Sequence, residues 1–255
     1  MSIKDGLFWA FGIGGGLGDR AVILMYHSIA DLPDHFNSVA PSMFARQMEH
    51  LAEKRFPVIR LSELAQRLRE RQNLGGAVVL TFDDGFRNNS TAAFPILKKY
   101  GFSATIFVAT GRVGTTNEKY ALEYMRENEL KELEASGLID IEPHTDSHPK
   151  LTQLIIERAR GEIARSREFL RKLLGKQGRF FAYPYGDYND DIKRLVKEFG
   201  FDAAVTVREG TVGPESDDLE LPRNSIDSST TFMQFRGKVS RAIDRHHAMK
   251  RLFHI

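Results

Sequence analysis

At 255 residues with 42% hydrophobic content, the chain is long enough for one large α/β core and short for two. Its formal net charge of +2 is too small to mark the surface as a nucleic-acid binder. The absence of cysteine excludes disulfides, thiolate metal sites and a cysteine nucleophile, which leaves His, Asp and Glu as the strong metal ligands.

The N-terminal run Leu7 to Leu17 is apolar and Gly-rich behind a single Lys4. It is too short to span a bilayer and lacks a clear small-x-small cleavage site. Residues 1–20 read as a lead segment, and the chain as cytoplasmic or membrane-peripheral, with this segment available for an interfacial contact.

Residues 21–27 form a buried-strand candidate that delivers Tyr26 and His27 at its far end. Ser42 is expected to start a helix bearing Phe44, Met48 and Leu51, which stops at Phe56-Pro57. Residues 58–60 read as a short strand, and Ser62 as the cap of a second helix with Leu64 and Leu68. The β-branched run Val78 to Phe82 follows a Gly pair and ends in Asp83-Asp84-Gly85. Residues 98–110 and 197–207 share one pattern, a basic last helical turn, a Gly, a Phe and a β-rich run. Between them lie a charged helix over about 117–135, a strand over 138–142, an Arg-rich helix over about 152–174 and a strand over 179–184. Buried strands joined by helices imply parallel pairing with right-handed crossovers. At this length the pattern predicts an α/β fold, a closed or nearly closed (β/α) barrel of about seven parallel strands over residues 21–231, with function at the C-terminal strand ends.

Residues 232–255 read as a basic amphipathic C-terminal helix, with Arg236, Lys238, Arg241, Arg245, Lys250 and Arg251 set against Asp244. Such a helix can touch anionic lipid or can close the barrel with its apolar stripe.

The adjacent acids after Phe82 have two readings. They are either turn chemistry that caps the next helix, or a metal ligand beside a proton-handling carboxylate. His144 and His148 in Glu142-Pro143-His144-Thr145-Asp146-Ser147-His148 follow another strand, and with the acid pair they make a catalytic divalent-metal set. Phe181 to Tyr188 ends a third strand. There Tyr183, Pro184 and Tyr185 would wall a groove, and a backbone N–H would face a developing oxyanion.

Thr81 to Gly85, His144 to His148 and Tyr183 to Gly186, in this order and spacing, resemble the polysaccharide deacetylases of carbohydrate esterase family 4. Met25-Tyr26-His27-Ser28 and Leu221-Pro222-Arg223 look more like the branch that deacetylates poly-N-acetylglucosamine. The resemblance spans about residues 20–225. It implies a distorted barrel, a glycan substrate and metal-dependent hydrolysis of sugar N-acetyl groups, with Asp83 as general base and Asp84, His144 and His148 as ligands. Zinc is the default ion, and the donor set also suits Co(II), Ni(II) or Fe(II). Two departures stand out. Many relatives carry an Arg just before the aromatic-Pro-Tyr turn, where this chain has Ala182, and Arg223 is the candidate substitute. The late Leu-x-His that supplies a general acid has no match here, because His246, His247 and His254 fall on the terminal helix. His27, at a strand end, is the candidate acid, against a structural role in which a backbone carbonyl fixes its ring. Competing readings are a barrel amidohydrolase for a small cyclic amide or ureide, a non-catalytic glycan-binding barrel, and an Fe(II) oxygenase built on His144-Thr145-Asp146.

Overall fold

The structure, a computed structural model, describes residues 16–32, 35–240 and 242. Seven strands form the frame: β1 (Val22–Tyr26), β2 (Val78–Phe82), β3 (Ala104–Val108), β4 (Ile139–Pro143), β5 (Phe180–Ala182), β6 (Ala203–Val205) and β7 (Asn224–Ser225). The order β7-β1-β2-β3-β4 makes one parallel sheet, and β5-β6 a parallel pair. Helices α1 (Pro41–Glu53), α2 (Leu61–Arg69), α3 (Phe94–Tyr100), α4 (Glu127–Ala135), α5 (Ile156–Leu174), α6 (Asp190–Glu198) and α7 (Phe232–Lys238) pack around it.

Strand side chains alternate between two faces. The outward set includes Leu24, Leu80, Ile106 and Ile141, and it shares a core with Phe44 and Met48 of α1, Leu97 of α3, Leu130 of α4 and Leu170 of α5. Ile23, Val79, Phe107, Phe180 and Val205 point inward and meet Leu61, Leu64 and Leu68 of α2, which closes the end where strands begin. The opposite end is left for the site.

Two joints of the barrel carry no regular ladder. Between β4 and β5 the buried Glu142 side chain takes its place. Its carboxylate accepts the Arg179 N–H at 2.7 Å and the Phe180 N–H at 3.0 Å. Burial pushes this carboxyl up to about 7, against the pull of Lys176 at 3.8 Å and of the two N–H donors. Between β6 and β7 the segment 218–221 intervenes: the Ala204 N–H donates to Asp218 O, and the Thr206 N–H to Leu221 O.

The seven frame strands equal the expected number but their members differ, and four two-residue strands of the described residues lie outside the frame. Residues 58–60 supply only an isolated bridge, Val58 with Val78, and the seventh strand is Asn224–Ser225, too short to show periodicity. The expected 117–135 helix is helical only over Glu127–Ala135, and its first part is replaced by a hairpin, Thr116–Asn117 with Leu122–Glu123, because Leu122 and Tyr124 bury themselves against Phe86. The first helix starts at Pro41 rather than at Ser42, and Ser62 is not a cap. Ala40 and Arg60 occupy the N-cap positions of α1 and α2 without side-chain capping bonds. The long Arg-rich helix begins at Ile156, after a separate turn at Leu151–Gln153.

α7 opens on a capping box between Thr231 and Gln234 and buries Phe235, with Val239 and Ala242 buried just beyond it. Its described part is therefore a packed element. The remainder of residues 232–255, including His246, His247 and His254, lies outside the described residues, as do residues 1–15 of the lead segment. No described helix is long and apolar enough to cross a membrane.

Glu142→Ala strips two buried donors of their acceptor and should cost about 2 kcal/mol or more in denaturant unfolding. Glu142→Gln, whose amide oxygen can accept both bonds, should lose less than half as much. Equal losses would contradict the seam described above.

Candidate metal centre and active site

The inward phase of β2 runs through Val79 and Thr81 to Asp83, so the first acid of the pair enters the barrel. The chain then turns left-handed, with φ of 73° at Asp84 and 79° at Gly85. At Gly85 a Cβ would press on both Val108 methyls at 3.2 Å, so only glycine fits the turn. Neighbours in sequence thus face different partners. Among the described residues, neither carboxylate hydrogen-bonds to the helical segment that follows, so the capping reading is not realised.

Asp83 is buried and paired at both oxygens, Oδ1 to Arg223 Nη1 at 2.7 Å and Oδ2 to Nη2 at 2.6 Å. Arg223 is fully buried. It also donates to Thr206 O at 2.9 Å and to Thr81 Oγ1 at 3.2 Å, and it lies over the Phe107 ring. Burial pushes the Asp83 carboxyl up, but Arg223, with smaller help from His144 and His27, pulls it well below the usual carboxylate range. Asp83 is therefore ionised at neutral pH.

Asp84 faces the two imidazoles. Its Oδ1 lies 3.3 Å from His148 Nε2 and 3.9 Å from His144 Nε2, and the two Nε2 atoms are 3.1 Å apart. The segment between the histidines is a tight loop rather than a helix, with φ of 62° at Thr145 and 63° at His148. Thr145 Oγ1 accepts the His148 N–H at 3.1 Å. His144 Nδ1 sits 2.7 Å from Ala182 O, an atom that can only accept, so Nδ1 carries the hydrogen and the Nε2 lone pair faces the trio. Burial lowers the His144 pKa. Burial, followed by the charges of His144 and Arg112, pushes His148 down to about 3. Both rings are then neutral, as metal ligation requires.

One donor atom from each of these three residues lies within 4.8 Å of the others. Asp84 Oδ1 is buried with no hydrogen-bond partner, and it sits where a cation would satisfy it. Two neutral imidazoles, one carboxylate and an open side fit a catalytic divalent ion.

Tyr185 stands at the mouth with φ 60° and 57% exposure, its ring centroid 4.6 Å from that of His148. Among the described residues its backbone N–H donates to no acceptor. The groove-wall reading is corrected for Tyr183 and Pro184. Both are buried, and Tyr183 turns into the core, where its OH donates to Leu219 O at 3.1 Å and its ring stacks on Tyr188. Inward-facing Ala182 and outward-facing Tyr183 follow from strand alternation, so only the turn residue reaches the site.

His27 lines the same cavity of about 280 Å³ as Asp83, Asp84 and both histidines. Its carbonyl accepts from Asn89 Nδ2 at 2.6 Å, whereas its ring hydrogen-bonds to no described residue. Sequence reasoning missed other lining residues, among them Arg112, Asn37 and Val207. Arg112 is held by Tyr124 OH at 3.0 Å, and a lone Arg in a short turn carries no signal of that placement. Asp146 does not join the site. Thr110 Oγ1 and Arg165 hold its two oxygens at 3.1 and 2.8 Å, which leaves the oxygenase triad unassembled.

Residues 70–204 match the polysaccharide deacetylase family. The chain belongs to this family. A poly-beta-1,6-N-acetyl-D-glucosamine N-deacetylase of Staphylococcus aureus (strain MRSA252) is 32% identical over 194 residues, covering 73% of this chain and 67% of that protein. Among solved structures, the Streptococcus pyogenes deacetylase PplD in complex with acetate superposes with TM-score 0.77 at 26% identity, covering 87% of this chain and 98% of that one. IcaB from Ammonifex degensii gives 0.78 at 27%, covering 88% and 98%. As a polysaccharide deacetylase the chain is a hydrolase that removes acetyl groups from a glycan, on a distorted barrel.

The polysaccharide deacetylase site depends on a buried ion pair, so Arg223→Met should cost the metal-free protein about 3–5 kcal/mol at pH 7. In the wild type Asp83 stabilises the fold above its ordinary pKa of 3.8, and that contribution is lost only as pH falls through its depressed folded value. In the variant burial raises the same pKa, so the penalty is fully present at pH 7 and fades on acidification. Unfolding curves from pH 7 to pH 4 should therefore show the gap narrowing. A constant gap would contradict the electrostatic account.

Proposed function

We propose that this chain removes acetyl groups from N-acetylglucosamine units of a β-1,6-linked glycan. The observation that carries the reading is the convergence of Asp84 Oδ1 and two imidazole Nε2 atoms beside the buried Asp83–Arg223 pair in one cavity. The linkage rests on the Staphylococcus aureus relative.

Asp84, His144 and His148 would hold the ion, with zinc as the default. Bound there, a divalent ion would supply the acidity of a nearby water and the polarisation of the acetamide carbonyl. The chain's own groups manage protons and geometry. Asp83, kept ionised and oriented by Arg223, accepts the proton of the attacking water as the water oxygen bonds to the acetyl carbon. The Tyr185 N–H donates to the oxyanion that develops on the carbonyl oxygen. His27 protonates the sugar nitrogen as the C–N bond breaks, giving acetate and a free amine.

Acetate release should be faster from β-1,6-linked than from β-1,4-linked N-acetylglucosamine oligomers, should stop on chelation and should return with Zn²⁺. Full release by exhaustively metal-free protein would sink the mechanism, and a preference for β-1,4 oligomers would sink the linkage. His27→Gln should keep its metal while kcat falls by about 10²-fold and the alkaline limb of the pH profile changes. Wild-type kcat in that variant would assign the proton to another donor.

A further inference from the structure

We propose that Glu162, on the second turn of α5, is a positioning residue that sets the affinity of the metal centre by holding the loop between its two histidines. The inference rests on the reading of Asp84, His144 and His148 as ligands.

Glu162 sits within the buried stripe of α5, beside Ala159, Ile163 and Ser166, and is itself 7% exposed. A carboxylate there needs compensation. Three of its four hydrogen bonds come from two residues of the ligand loop. Oε2 accepts the N–H groups of Asp146 at 3.1 Å and Ser147 at 2.7 Å, and Oε1 accepts the Ser147 hydroxyl at 3.0 Å. Arg165 completes the set, donating to Glu162 Oε1 at 2.6 Å and to Asp146 Oδ2 at 2.8 Å.

The opposite side of the loop is gripped by the turn after β3. The Thr110 N–H donates to Thr145 O at 3.1 Å and the Gly111 N–H to Asp146 O at 2.8 Å. A Cβ on Gly111 would meet that same oxygen at 3.0 Å, so the approach is as close as the backbone allows. Between these grips the loop holds Thr145 and His148 at positive φ, which is unfavourable for a β-branched residue above all. Such a conformation persists only where its surroundings over-determine it. Its consequence is functional, because the reversal of the chain at Thr145 and His148 brings the two Nε2 atoms to 3.1 Å. Released, the loop would relax toward ordinary backbone and draw His148 away from His144 and Asp84.

The test is Zn²⁺ titration of the chelator-stripped full chain against a competing chromophoric chelator, with thermal unfolding of the same metal-free samples. In Glu162→Gln an amide NH₂ replaces one acceptor, and Zn²⁺ should bind about 10–100-fold more weakly. Ser147→Ala removes one contact and should weaken binding less, with no further loss when added to Glu162→Gln. A merely structural Glu162 would lower the unfolding temperature of the metal-free protein and leave Zn²⁺ affinity unchanged, which would overturn the proposal. If Glu162→Gln does not fold, Ser147→Ala decides alone: weaker Zn²⁺ binding supports the role, and wild-type affinity overturns it. A wild-type chain that binds no Zn²⁺ would instead refute the metal centre.

Discussion

The bidentate pair of Asp83 and Arg223, wholly inside the barrel, is the interaction on which the site depends. Two charges taken out of water are costly to bury, and either one alone is costlier still. The pair is matched at both oxygens, and the remaining guanidinium donors go to Thr206 O and Thr81 Oγ1. Its satisfaction ties the end of β2 to the strand that closes the barrel on the far side of β1. It also separates the surroundings of the two adjacent acids. With Asp83 committed to Arg223, Asp84 is the carboxylate left for the imidazoles.

The same economy appears where the barrel fails to close by backbone pairing. Glu142 bridges β4 to β5 low in the barrel, and His144 bridges the same strands higher up through Ala182 O. A side chain proposed as a metal ligand is thus also a fastener of the fold. The position at which many relatives carry an arginine is filled here by an alanine whose carbonyl orients a histidine, while the guanidinium arrives from Arg223.

Much of this was legible in the sequence because the relevant signals are short and local. Buried β-branched runs ending in Asp83-Asp84 and in His144 mark strand ends, and parallel topology brings strand ends together. Arg223 was legible only through a gap in a familiar pattern. What the sequence hid depended on tertiary contacts. The two-residue strand Asn224–Ser225 exists because β1 offers it a partner, and the hairpin near residue 120 exists because Phe86 offers Leu122 and Tyr124 a surface. Tyr183 and Tyr185 look alike in sequence, yet a strand side chain and a turn side chain point to different places. Arg112 reaches the cavity from a turn with no periodicity to read.

The division of labour between the adjacent acids is the central claim, and metal stoichiometry tests it most directly. Asp83→Asn and Asp84→Asn should be dialysed against Zn²⁺ and their bound metal measured by elemental analysis. The account predicts about one ion per chain in Asp83→Asn and a large loss in Asp84→Asn. Loss of the ion from Asp83→Asn with retention in Asp84→Asn would contradict it.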